Sequence, residues 1–189
     1  MQEIKQILDT RLANPGDTMP VSGHMDEKGY SLGGHDFVLP DGIDYDLVLT
    51  NAGEGILATG MLKAHVEGTC DRCLGKAEFD VAGEVDEYYL FKAPAEPMAD
   101  DEDDDVDFAL VGDDSTIDLT DALSSALLME TPFVVLCCED CKGLCPVCGA
   151  NLNEVDCGHA AKVEAEREQD RLDASPFAAL RNLDLGDGE

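Results

Sequence analysis

Eight cysteines fall in only two places, two in "EGTCDRCLGK" (residues 67–76) and six in "CCEDCKGLCPVCGANLNEVDCGH" (residues 137–159). Either disulfides or metal ions would explain such clustering, and the two answers imply different compartments. At 189 residues and 20.2 kDa the chain is long enough to bury a core without disulfides. The first residues, "MQEIKQILDTRLANPGDTMP", carry no apolar run of signal-peptide length. No stretch approaches the roughly 20 apolar residues of a membrane span. The expectation is therefore a soluble, cytoplasmic chain with no membrane role. In a reducing cytosol, thiols at short spacing are more often metal ligands or redox centres than structural disulfides.

Zinc takes four tetrahedral ligands from Cys thiolate and His nitrogen, and Cys-x(2–4)-Cys turns supply them two at a time. The chain offers Cys70 with Cys73, then Cys137, Cys138 and Cys141, then Cys145 with Cys148, then Cys157 with His159. If one of the adjacent pair Cys137 and Cys138 stands aside, seven Cys and one His remain, enough for two full sites. The candidate metal ligands are Cys70, Cys73, Cys137, Cys141, Cys145, Cys148, Cys157 and His159, and the expected cofactor is one or two zinc ions. Gly143, Pro146, Gly149 and Gly158 provide the tight backbone such turns need. Spacing does not say which four share an ion. One pairing joins Cys70 and Cys73 to Cys145 and Cys148; another leaves the C-terminal segment self-sufficient.

Hydrophobic periodicity sets the frame for these turns. In 43–49, "IDYDLVL", Ile43, Tyr45, Leu47 and Leu49 share one face, and "NAGEG" reads as a turn. In 56–66, Ile56, Ala58, Leu62, Ala64 and Val66 share a face; in 79–91, Phe79, Val81, Val85, Tyr89 and Phe91 do, with Glu87 intruding. This is an antiparallel meander with one buried and one wet face, and it puts "CDRCLG" at a hairpin tip. Ile4, Ile7, Leu8 and Leu12 sit near helical spacing before "NPG", which predicts a short N-terminal helix, with a strand as the alternative. "TIDLTDALSSALLMETP" predicts a short strand, then a helix capped by Thr120 with Leu123, Leu127 and Leu128 on one face. "FVVL" (133–136) reads as a brief strand, "AAKVEAEREQDRLD" as a helix, and "SPFAALRNL" as a docked last helical turn.

The fold class is α+β: an antiparallel meander or partly open barrel, few helices, and a C-terminal Cys-rich zinc-knuckle segment. Three regions follow: 1–92 with the Cys70/Cys73 hairpin tip, an acidic loop at 93–115, and a strand-helix plus Cys-rich segment at 116–189.

The meander also weighs against a thioredoxin-like redox pair at Cys70 and Cys73, since that motif opens a helix in a parallel-sheet unit. A catalytic zinc keeps an open position beside a general base, whereas all-Cys clusters are usually closed. His24, His35 and His65 stand alone, and no Ser-His-Asp signature, P-loop or dinucleotide fingerprint is present. No residue is assigned a catalytic role. Arg72, inside the first turn, either favours thiolates, contacts a partner, or is simply exposed.

The formal net charge is −30, and no Lys or Arg occurs between Lys92 and Lys142, an interval that holds "DDEDDD" at 100–105. Nucleic-acid binding draws most of its affinity from phosphate neutralisation by Lys and Arg, so direct RNA or DNA binding is a poor fit. A basic protein partner suits the field better, and solubility alone is the bland alternative.

These residues together resemble a family. "CDRCL" after a strand, an acidic interval, "IDLTDAL…ME", a proline and "CKGLCPVCGANLN" resemble the bacterial YceD family, the large ribosomal RNA subunit accumulation proteins, over roughly residues 40–185. "SPFAALRNL" is similar to that family's closing motif, with Ser175 and Phe177 departing from its usual Asp and Arg. The resemblance implies that Cys137 is the ligand and Cys138 the spectator, and that His159 stands where many members have Cys. It implies a role in 23S rRNA accumulation or processing, with no established catalysis. The partner expected is a ribosomal protein or assembly factor with a basic surface, with large-subunit rRNA contacted indirectly. The rival readings are a metal-dependent rRNA-processing hydrolase and a thiol redox sensor.

Overall fold

The structure, a computed structural model, describes residues 3–93 and 109–174. Most of the acidic stretch at 93–115 and all of "SPFAALRNL" lie outside the described residues.

Among the described residues, the elements are β1 (Lys5–Ile7), β2 (Thr18–Met25), β3 (Gly29–Leu32), β4 (His35–Val38), β5 (Ile43–Asn51), β6 (Gly55–Thr69), β7 (Lys76–Leu90), β8 (Thr116–Asp118), α1 (Thr120–Glu130) and α2 (Ala160–Asp173). By contact, residues group into two units, Met1–Cys70 with Gly75–Cys137, and Asp71–Leu74 with the chain from Cys138 onward.

In the first unit, β5, β6 and β7 form the antiparallel meander that alternation predicts. Ile43 pairs with Ala64 and Asn51 with Ile56; on the other edge of β6, Gly55 pairs with Leu90 and Thr69 with Lys76. β2 extends this sheet beside β5, while β4 meets the far end of β6 and carries β3 with it. Ile43, Leu47, Leu49, Ile56, Ala58, Leu62, Val66, Val81, Val85 and Tyr89 are all buried, so the period-2 face is the core face. Burying each of the leucines contributes about 2 kcal/mol.

Helix α1 closes this core with Ala122, Leu123, Ala126 and Leu127, while Leu128 is only half-buried. It approaches β7 so closely that a Cβ at Gly83 would lie 2.7 Å from the carbonyl oxygen of Ala126. The absence of a side chain at Gly83 is what lets helix and strand touch.

Three local expectations are corrected. The N-terminus is a strand followed by a 3-10 turn (Thr10–Leu12), because β1 pairs with β8, Ile7 opposite Thr116. Thr120 does not cap α1: its Oγ1 accepts from the Ile4 backbone N–H at 2.8 Å, and Asp118 Oδ1 accepts from Thr120 N at 2.9 Å. "FVVL" is irregular, with Val135 buried and Phe133 wholly exposed. By contact, β8 and α1 cluster with the sheet, where β8 pairs with β1 and α1 meets β7 at Gly83.

In the second unit, residues 71–74 bond to the chain at 141–144. Leu144 N donates to the Arg72 carbonyl at 3.1 Å, and Arg72 Nη1 donates to the Cys141 carbonyl at 3.0 Å. A bridge pairs Leu144 with Asn151, and α2 begins where Val163 N donates to the His159 carbonyl. In the chain from Cys138 onward, the buried apolar side chains among the described residues are Cys141 and Cys145 alone. This unit has thiols where the first has leucines.

Candidate metal centre

The two Cys-x-x-Cys turns are built alike. In the first, Cys70 N donates to the Gly75 carbonyl at 2.8 Å; in the second, Cys145 N donates to the Ala150 carbonyl at 2.8 Å. The residue after the second cysteine is left-handed in both, Leu74 at φ 57° and Gly149 at φ 71°. Each turn thus closes a small loop that brings two sulfurs together and leaves interior N–H groups available to them.

Four donors gather at each turn. The ligand atoms of Cys70, Cys73, Cys137 and Cys141 all lie within 4.8 Å of one another, and so do those of Cys145, Cys148, Cys157 and His159. A tetrahedral ion with metal–sulfur bonds of about 2.3 Å sets its sulfurs about 3.8 Å apart, so both groups have the right size. Cys145 Sγ and His159 Nδ1 stand 3.8 Å apart. Either group can hold a metal ion.

All eight candidates named from sequence fall in these two groups, and Cys138 is in neither. The pairing is not the one that joins the two Cys-x-x-Cys turns: Cys70 and Cys73 group with Cys137 and Cys141 instead.

Neighbouring groups bond the sulfurs and set their protonation unequally. Asn153 Nδ2 donates to Cys141 Sγ at 3.3 Å, and Asn153 Oδ1 accepts from Lys142 N at 2.8 Å, so one amide ties the sulfur to its own loop. The backbone N–H groups of Cys148 and Val147 draw the Cys145 thiol down to about 6. Cys157 moves the other way: the His159 N–H favours its thiolate, but the bond with Cys145 and desolvation outweigh it, and its thiol is raised. The role of Arg72 is now concrete, since its guanidinium braces the Cys141 carbonyl. Asn153 was not singled out from sequence; its place in "CKGLCPVCGANLN" was the available signal.

A third group, His65, Glu67 and Glu78, lies on the β6–β7 surface. Lys76 Nζ already bridges Glu67 and Glu78, at 2.9 and 2.5 Å, and His65 Nδ1 bonds Asp80 Oδ1 at 2.8 Å. The ammonium does there what a cation would do, relieving two carboxylates set opposite each other across the strands.

The fold and the two donor sets define an α+β protein, mostly antiparallel sheet, with a Cys-rich segment whose donors could hold metal ions. Residues 58–184 match the family model described as large ribosomal RNA subunit accumulation protein YceD. The chain belongs to that family, and all eight donor residues lie inside the matched span. It is 36% identical over 112 residues to an uncharacterized protein of Mycobacterium tuberculosis, which is 58% of this chain and 51% of the relative. It is 32% identical over 119 residues to an uncharacterized protein of Mycobacterium leprae, 62% of this chain and 52% of that one. The chain thus spans about half the length of the curated relatives it matches. No solved structure matches it. Among the described residues, no helix is long and apolar enough to cross a membrane.

Proposed function

We propose that this protein is a non-catalytic factor in large ribosomal subunit biogenesis, needed for accumulation or processing of 23S rRNA in the cytoplasm. Its Cys-rich segment is organised by two zinc ions, one held by Cys70, Cys73, Cys137 and Cys141 and the other by Cys145, Cys148, Cys157 and His159. The single observation that carries the reading is the family match, which spans both donor groups.

Zinc suits both sets because it accepts four thiolates, or three thiolates and one imidazole, and needs no geometry beyond a tetrahedron. Four protein donors fill a tetrahedral ion, which leaves no position for an activated water and speaks for a scaffold over a hydrolase. The formal charge of −30 speaks for a basic ribosomal protein or assembly factor as the direct contact, with rRNA reached through it.

The test is a deletion strain. Loss of the gene is expected to lower mature 23S rRNA relative to 16S and to leave precursor behind. The wild-type gene should restore the ratio, and Cys141→Ser should not. An unchanged ratio in the deletion strain would refute the reading.

A further inference from the structure

Between α1 and Cys137 the chain presents apolar side chains to solvent. Met129 is 84%, Phe133 100% and Val134 60% exposed. These are no frayed end. Thr131, at 4% exposure, and Val135, at 2%, are buried on either side of Phe133.

Thr131 Oγ1 donates to the Leu127 carbonyl at 2.9 Å, so the 2.8 Å bond with Tyr30 has the tyrosine hydroxyl as donor. Pro132 then fixes the backbone leading into Phe133. An aromatic ring is therefore displayed on a backbone anchored at both ends, and ordering it on binding costs little. Aromatic anchors presented this way are the residues that dominate protein interfaces.

Charge says what would cover it. No Lys or Arg occurs in residues 93–141, while Asp118, Asp121 and Glu130 lie close to these apolar side chains in sequence. A second copy, itself at −30, is repelled, and so is the phosphate backbone of RNA. We infer that Met129, Phe133 and Val134 form a docking surface for a cationic amphipathic polypeptide segment, whose apolar side chains seat on Phe133 while its Lys and Arg meet the carboxylates of this acidic, cation-free stretch of chain. This rests on the proposal that the protein works through protein contacts and names the surface that makes them.

The test uses the full-length, zinc-loaded chain and two fluorescent peptides at near-physiological salt. One is an amphipathic peptide of Lys, Arg and Leu; the other has every Leu replaced by Ser. The leucine peptide is expected to bind about tenfold tighter or more than the serine one, and Phe133→Ala to erase most of that difference, with Met129→Ser acting in the same direction. Because Phe133 is fully exposed, the thermal midpoint of Phe133→Ala should match the wild type.

Equal binding of the two peptides, or wild-type binding by Phe133→Ala, would overturn the inference. So would self-association in sedimentation, or capture of an rRNA fragment, that Phe133→Ala abolishes. Failure here with 23S rRNA still falling in the deletion strain removes only the docking surface. Peptide selectivity with unchanged 23S rRNA keeps the surface and removes the ribosomal role.

Discussion

The sheet unit and the Cys-rich unit differ in what fills their interiors. Around β5, β6, β7 and α1 the interior is leucine, isoleucine, valine and methionine; from Cys138 onward, the buried apolar side chains among the described residues are two cysteines. An apolar core stabilises through area removed from water and needs no bound ion. A segment whose interior is cysteine would, with zinc bound as proposed, gain its stability when the cation offsets the thiolate charge gathered around it. The two regions should respond differently to the same perturbation.

Metal removal should separate them most. With a strong chelator, amide exchange in residues 138–174 is expected to lose its protection, while β5, β6 and β7 keep theirs. Equal loss in both regions would mean that the sheet, too, depends on the metal.

The converse change is Gly83→Val. Its side chain would press on the Ala126 carbonyl, and the cost should be about 2 kcal/mol of global stability. Metal content should stay as in the wild type. Metal loss on this substitution would couple the two regions more tightly than their separate interiors suggest.

Within the cysteine turns, Leu74 and Gly149 occupy equivalent left-handed positions, yet only one is glycine. Leu74→Gly is expected to stabilise its turn by about 1 kcal/mol and Gly149→Ala to destabilise its own by a similar amount, read as shifts in metal affinity. No change in either would mean that the metal, and not the backbone, sets the turn.

Acid should act with opposite sign on the two regions. The Asp80 carboxylate bonded to His65 raises the imidazole above its ordinary value, as Asp44 does for His24. A raised histidine contributes stability that is complete below about pH 6.5 and lost as pH climbs through the folded value. Cys145 is depressed, so its contribution is present at alkaline pH and lost as pH falls through about 6. Between neutral pH and about pH 5, the His65 pair should gain strength while the cysteine cluster releases its metal. An NMR titration of His65 in wild type and Asp80→Asn, beside a metal-release curve, would show both. A His65 ring that titrates alike in the two proteins would remove the smaller effect.

What was legible in the sequence follows the same division. The faces of β5, β6 and β7 could be read because each strand alternates over many residues, with one side buried. β2 escaped because Gly23 leaves a gap in its buried face and Pro20 reads as a strand breaker; among the described residues it is an edge strand paired with β5, where such a proline is tolerated. β3 and β4 are four residues each, too short to show a period. Ile4, Ile7, Leu8 and Leu12 suggest a helix locally, but partners more than a hundred residues away make Lys5–Ile7 a strand. The donor residues were legible as a set, since short Cys spacings carry their own chemistry. Their division into two groups was not, because a Cys-x-x-Cys turn presents two sulfurs without specifying the other two. Contacts of Arg72 with Cys141 and Leu144 bring the first turn to Cys141, and no spacing rule contains them.

The most direct test is the metal content of freshly purified, untagged protein by elemental analysis, with an absorption spectrum of the same sample. The account predicts two zinc ions per chain, no visible absorption, and a fall to one on Cys148→Ser. Full-length protein that is folded yet free of metal, or one that carries iron with visible sulfur-to-iron bands, would contradict it.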